Sequence, residues 1–187
     1  PTLGLADVIR SRHERDKYLL SAMLGVFLMM GLYHLGLFAQ RRRRDTTLWF
    51  SLLCFCCALA VASFNYFFFL TGWEASVGKF AIIVKLLLLT PLFAGALTIL
   101  YFASAIPSAW FSRYATAACS LYVLMGLPVV FESADNLAVS VFPTLLIAGI
   151  LAVPLIWHLL TAIATNDRDA RLLLLAVGSV VVGAVLD

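Results

Sequence analysis

The chain has 187 residues, 63% of them hydrophobic and 12% charged, and its mean hydropathy of +1.01 excludes a water-soluble globule, so lipid is the solvent for most of it. The formal net charge of +3 is too small and too locally concentrated for a nucleic-acid-binding protein. Of the four cysteines, Cys54, Cys56 and Cys57 share one apolar run and Cys119 lies in another, a spacing that suits neither a disulfide framework nor a zinc ribbon. They read as small buried apolar residues.

In chain order, residues 1–17 are too charged and too short of apolar length for a secretory signal peptide and are expected to form an extracytoplasmic juxtamembrane segment. With no initiator Met, the chain is expected to be part of a longer protein. Residues 18–187 then read as one transmembrane helical domain with apolar stretches at about 18–39, 46–70, 80–103, 114–131, 137–163 and 172–186. Most of these approach the ~20 residues that a helix needs to cross about 30 Å of hydrocarbon. The sixth is shorter and stops with the sequence, so it is expected to be incomplete or close to its membrane exit. Lipid cannot satisfy backbone N–H and C=O groups, so such runs must be helical, whereas barrel strands would be shorter and would alternate.

The links at 40–45, 71–79, 104–113, 132–136 and 165–171 are short and polar, which makes consecutive helices antiparallel neighbours. The expected fold is an all-α integral membrane protein: an up-and-down bundle of six visible transmembrane helices, belonging to a seven-helix domain that lacks its last helix. No internal repeat or flexible linker divides it.

Orientation follows from Lys and Arg in short loops, which accumulate on the cytoplasmic side. Arg41, Arg42, Arg43 and Arg44 dominate, and the loops on the same side hold Arg113, Arg168 and Arg171. The opposite loops hold Lys79 with Glu74, Glu132 and Asp135. The arginine turn is therefore placed in the cytosol, as a topology anchor that also attracts anionic lipid. This puts the N-terminus outside, although Arg10, Arg12, Arg15 and Lys17 lie there too, partly offset by Asp7, Glu14 and Asp16. Trp49, Trp73 and Trp110 fall at expected helix ends, as interfacial aromatics do.

An ionisable group in lipid is costly, so each is a functional candidate beside a structural reading. Lys85 lies some five residues inside the third stretch, roughly 8 Å at 1.5 Å per residue. Snorkelling, or pairing with Glu74 or Glu132, accounts for it structurally, and ligand sensing or gating is the functional alternative. His34 and His158 both lie near cytoplasmic ends, at depths that would let them meet; structural hydrogen bonding competes there with a proton-linked switch. Two histidines fall short of the three protein ligands usual in a catalytic zinc site, so neither metal nor cofactor is expected. Asn65 reads as an interhelical hydrogen-bonding residue. Pro91, Pro128, Pro143 and Pro154 interrupt helices and are candidate hinges or simple packing kinks. No nucleophile–base spacing or phosphate-binding glycine loop suggests catalysis by this chain.

One segment is more specific: Leu24-Gly25-Val26-Phe27-Leu28-Met29-Met30-Gly31-Leu32-Tyr33-His34-Leu35-Gly36-Leu37-Phe38, then the arginines and Asp45, then Leu48-Trp49-Phe50. It resembles the bacterial seven-transmembrane receptors with diverse intracellular signalling modules, in which a Gly-rich helix with a Leu-Tyr-(His or Asn)-Leu-like ending precedes a basic turn and an aromatic second helix. Pro1-Thr2-Leu3-Gly4 is similar to the junction after that family's extracytoplasmic domain, and Gly178 to Leu186 with Asp187 is similar to its sixth helix. The departure is the absent seventh helix. The resemblance implies a multi-pass receptor domain in the bacterial inner membrane. It implies an extracytoplasmic ligand or sensor domain before it and a cytoplasmic output module after it: a cyclase, diguanylate cyclase, histidine kinase or serine phosphatase. Many such outputs work in pairs, so a homodimer is compatible with it. The competing classes are a small-solute transporter or channel and a membrane-embedded enzyme.

Overall fold

The computed structural model describes the backbone of residues 2–41, 45–70, 77–131 and 137–164, with side chains over 14–40, 45–63, 81–131 and 146–162 and at Ala164. These residues form five helices: α1 (Thr2–Arg41), α2 (Asp45–Leu70), α3 (Val77–Ala105), α4 (Ala109–Phe131) and α5 (Leu137–Ala164). Among the described residues four segments are long and apolar enough to cross a membrane: Glu14–Gln40, Asp45–Ser63, Ala81–Ala105 and Ala109–Phe131. Within α5 a shorter apolar segment, Leu146–Ala162, is described. The expected sixth helix at 172–186 lies outside the described residues.

Helices outrun the apolar stretches that predict them. α1 begins at Thr2, so most of the charged segment expected to precede the first helix is itself helical. Arg113, expected in a link, lies inside α4, and the α3–α4 connection shrinks to residues 106–108. A hydropathy pattern ends where side chains become polar, but the backbone still needs partners there and supplies them most cheaply by remaining helical. α4 instead starts at a local signal after Pro107: Ser108 Oγ accepts the Phe111 N–H at 3.3 Å, an N-cap that occupies one otherwise orphaned donor.

The helices pack as a row in chain order. α1 lies on α2, α2 on α3, and α3 on α4, while α5 closes against both α3 and α4. As one helix advances, its contacts on the next recede: His34 meets Phe50, Phe50 meets Tyr101, Lys85 meets Val130 and Phe111 meets His158, while farther from those ends the partners shift oppositely. Gly31 meets Phe55, Cys56 meets Thr90, Gly95 meets Tyr122, and Tyr114 meets Leu151, so neighbours run antiparallel.

Lipid provides little hydrophobic drive between helices, so close approach of small residues and interhelical hydrogen bonds must do the joining. At the α1–α2 contact Gly31 is the one buried residue among the described side chains of α1. A Cβ there would stand 3.0 Å from Phe55 Cε1, and the fully buried Ser51 donates to Gly31 O at 2.8 Å. On α2, Ser51, Cys54 and Ala58 are buried at helical spacing. On α4 the inward face is Phe111, Ala115, Ala118, Tyr122 and Val129. With Leu92, Ile99 and Phe102 of α3 and Ala162 of α5, most of that face forms the main core.

Two threonine hydroxyls of α3 are satisfied within their own helix: buried Thr90 and half-buried Thr98 donate to the carbonyls of Leu86 and Ala94 at 2.6 and 2.7 Å. Cysteines serve similarly across helices, Cys56 Sγ donating to Thr90 O at 3.4 Å and Cys119 Sγ to Ala96 O at 3.7 Å, and all four are free thiols.

Candidate functional site

Alternating helix directions gather five ends at one level: the C-termini of α1, α3 and α5 and the N-termini of α2 and α4. His34 and His158 both lie toward this end, but in separate neighbourhoods. Ring contacts of His34 are with Tyr33 and Phe50, whereas those of His158 are with Trp110 and Phe111. The two histidines do not meet. Among the described residues no three His, Cys, Asp or Glu side chains group as metal ligands would.

His158, 4% exposed, stacks on Phe111 at a centroid distance of 4.1 Å and an interplanar angle of 10°. Trp110 meets its ring edge-on at 5.5 Å. Its Nε2 lies 3.0 Å from Ile106 O. A carbonyl only accepts, so Nε2 carries the proton. Ile106 directly follows α3, where helix geometry leaves carbonyls unpaired. One side chain of α5 therefore closes the end of α3 and stacks on the first turn of α4.

Lys85 does the same at the other end of the molecule. Its Nζ donates to Val130 O at 2.8 Å, and Val130 is in the last turn of α4, among the carbonyls with no intrahelical donor. A cation at a helix C-terminus is also favoured by the macrodipole. Its described partner is thus a backbone carbonyl; Glu74 and Glu132, the carboxylates expected to pair with it, lie outside the described residues.

His34 is half-buried, with Phe50 edge-on at 4.5 Å, and its Nδ1 is buried with no hydrogen-bond partner among the described residues. A cavity of about 200 Å³ beside it is lined by Thr46, Thr47, Phe50 and Tyr101. Phe50 leads on to Tyr101 at 5.6 Å and Tyr101 to Phe102 at 5.3 Å, an aromatic row from α1 to α3 at this level. Trp49 and Trp110 fall near the N-terminal ends of α2 and α4.

Of the remaining candidates, Arg41 ends α1, while Arg42, Arg43 and Arg44 lie outside the described residues. Asn65 and Pro143 are helical in backbone, with side chains outside the description. Pro91, Pro128 and Pro154 lie within α3, α4 and α5, and by the i→i−4 rule leave the carbonyls of Leu87, Leu124 and Ile150 without their helical donors.

Sequence reasoning missed the tyrosines. Tyr114 O–H donates to Leu151 O of α5, and Tyr122 O–H to Ala148 O of α5 at 3.5 Å. Tyr122 reaches α5 only because α3 carries Gly95 where its ring passes; a Cβ there would be 2.8 Å from Tyr122 Cζ. The available signal was a phenol in the middle of an apolar run, since a buried O–H needs an acceptor. Together these contacts make joints: hydrogen bonds from long side chains to carbonyls of other helices, near helix ends or near prolines.

The family model described as 7TM diverse intracellular signalling matches residues 16–187. No curated protein and no solved structure matches the chain.

Proposed function

The chain belongs to the 7TM diverse intracellular signalling family, and on that premise we propose that it is the sensory and relay domain of a bacterial receptor. In this reading it lies in the inner membrane as part of a seven-helix bundle with its N-terminus outside and the turn of Arg41 to Arg44 in the cytosol. It passes an extracytoplasmic signal, from a ligand or a linked sensor domain, to a cytoplasmic output module of the same polypeptide. Any catalysis then belongs to the output module.

The observation that carries the reading is the family match over nearly the whole of a chain built from long apolar helices. Relay requires a bundle with two packings whose populations a signal can bias; moving from 1:99 to 99:1 takes about 5.5 kcal/mol of differential interaction. Pro91, Pro128, Pro143 and Pro154 supply hinge points, and the joints made by His158, Lys85 and Tyr122 supply contacts that one packing keeps and the other releases. His34, beside its cavity, and Asn65 are further residues on which such a shift can act.

Fusion of a cyclase reporter to the domain within its full-length protein tests this. Pro154→Ala and Lys85→Gln are each expected to move basal reporter output several-fold, with the helical circular dichroism unchanged. Output that ignores both substitutions, together with solute uptake by proteoliposomes, would replace the receptor reading with a transporter.

A further inference from the structure

We propose that the groove between α3 and α4 is a binding site for one acyl chain of an anionic phospholipid, with Lys85 holding the headgroup. The groove has a volume of about 310 Å³ and an almost wholly apolar lining that includes Leu89, Phe93, Tyr122, Gly126, Leu127 and Val130. Phe93, Leu127 and Val130 are 57%, 46% and 48% exposed, so it opens sideways, toward lipid.

Two residue choices give it its shape. Gly126 has no side chain, so Leu89 of the facing helix is the nearest wall, with Cδ2 3.5 Å from where a Cβ would be. Tyr122, held in the notch at Gly95, closes the inner end.

Length and charge select the occupant. From Lys85 to Ala96, the groove residue at the inner end, is eleven residues of α3, or about 16 Å at 1.5 Å per residue. That is about half of the ~30 Å hydrocarbon thickness, the depth to which a lipid of one leaflet reaches. At the mouth Lys85 Nζ is fixed 2.8 Å from Val130 O, and Val130 also lines the groove. An ammonium has three N–H donors, and one is spent on that carbonyl, leaving two for a phosphate oxygen. The neighbouring groove between α2 and α3, about 340 Å³, is equally apolar; neither lining contains a charged residue, and Lys85 is bonded to Val130, which lines the α3–α4 groove and not its neighbour. The α2–α3 groove offers a chain the same burial without the headgroup contact.

The test is native mass spectrometry of the purified chain in detergent with equimolar phosphatidylglycerol and phosphatidylcholine. The wild type's ratio of anionic to zwitterionic lipid retained should exceed that of Lys85→Gln about five-fold, the factor equivalent to the ~1 kcal/mol of one cation at an anionic surface. Lys85→Gln keeps a donor for Val130 O but no charge and should lose that factor, while Lys85→Arg should preserve the wild-type ratio. The arginine turn is the same in all three, so its own attraction for anionic lipid cancels in the comparison. Gly126→Leu fills the groove and should remove the preferentially bound lipid. A lipid ratio in Lys85→Gln equal to the wild type's, or lipid retention unchanged in Gly126→Leu, would overturn the proposal. Displacement of the phospholipid by an equal concentration of oleate would also overturn it, by assigning the groove to a free fatty acid.

Discussion

Gly95→Leu is expected to lower the stability of the folded helices by about 3 kcal/mol, the upper part of the range for overpacking a well-fitted contact. The cause lies in three helices at once. An added Cβ alone would stand 2.8 Å from Tyr122 Cζ and 2.9 Å from its Oη, so the ring must leave the notch. It then gives up the bond to Ala148 O and its place in the α3–α4–α5 core. The substitution should appear in a detergent melt as a lowered unfolding midpoint. The same loss should be largely recovered in the Gly95→Leu, Tyr122→Ala double variant, because removal of the ring makes room for the leucine. Neighbouring residues that share a space couple in this way, whereas independent ones add. Simple additivity of the two single effects would show that Tyr122 does not occupy the Gly95 notch.

His158→Ala should cost about 3–5 kcal/mol, on the scale of other large buried aromatic deletions. Three losses combine: the face stacked on Phe111, the edge contact of Trp110, and the hydrogen bond to Ile106 O. His158→Phe separates them, since it keeps the ring and discards the donor. Interhelical hydrogen bonds in membranes average about 0.6 kcal/mol and reach about 1.7 kcal/mol, so the Phe variant should lie much closer to the wild type. Equal destabilisation by Phe and Ala would mean that the bond to Ile106, and not the ring, holds α5 in place. Either result is read from the same melts, with loss of α5 packing reported by the fluorescence of Trp110 and Trp157.

How much of this was legible in the sequence depends on the range over which each feature is specified. Helical backbone is dictated locally, because an apolar run in lipid has no other way to pair its polar groups, and the five described helices lie where runs were expected. The ends were less legible. Arg113 and the charged residues of early α1 stop the hydropathy pattern without stopping the helix, whereas Ser108 after Pro107 was a readable start signal for α4.

Partners were the least legible, since Lys85 meets a residue 45 positions away and His158 one 52 positions away. Both described partners are backbone carbonyls, which have no identity in a sequence, while Glu74 and Glu132, the carboxylates named for Lys85, lie outside the described residues. Glycines show the same limit. Gly25, Gly31 and Gly36 look equivalent in the motif of the first helix, yet a Cβ at Gly31 would press on Phe55, while Gly25 and Gly36 have nothing within 4 Å. The family resemblance rested on that motif, and the match over residues 16–187 bears it out.

A relay domain must have its helix ends on both sides of a bilayer, in alternation, with the arginine turn facing the output. Alkaline phosphatase joined after Arg44 tests this most directly, with a second fusion after Trp73 as its counterpart. The first is predicted to be inactive, held in the cytosol, and the second active. High phosphatase activity from the fusion after Arg44 would turn the domain over and contradict the relay described here.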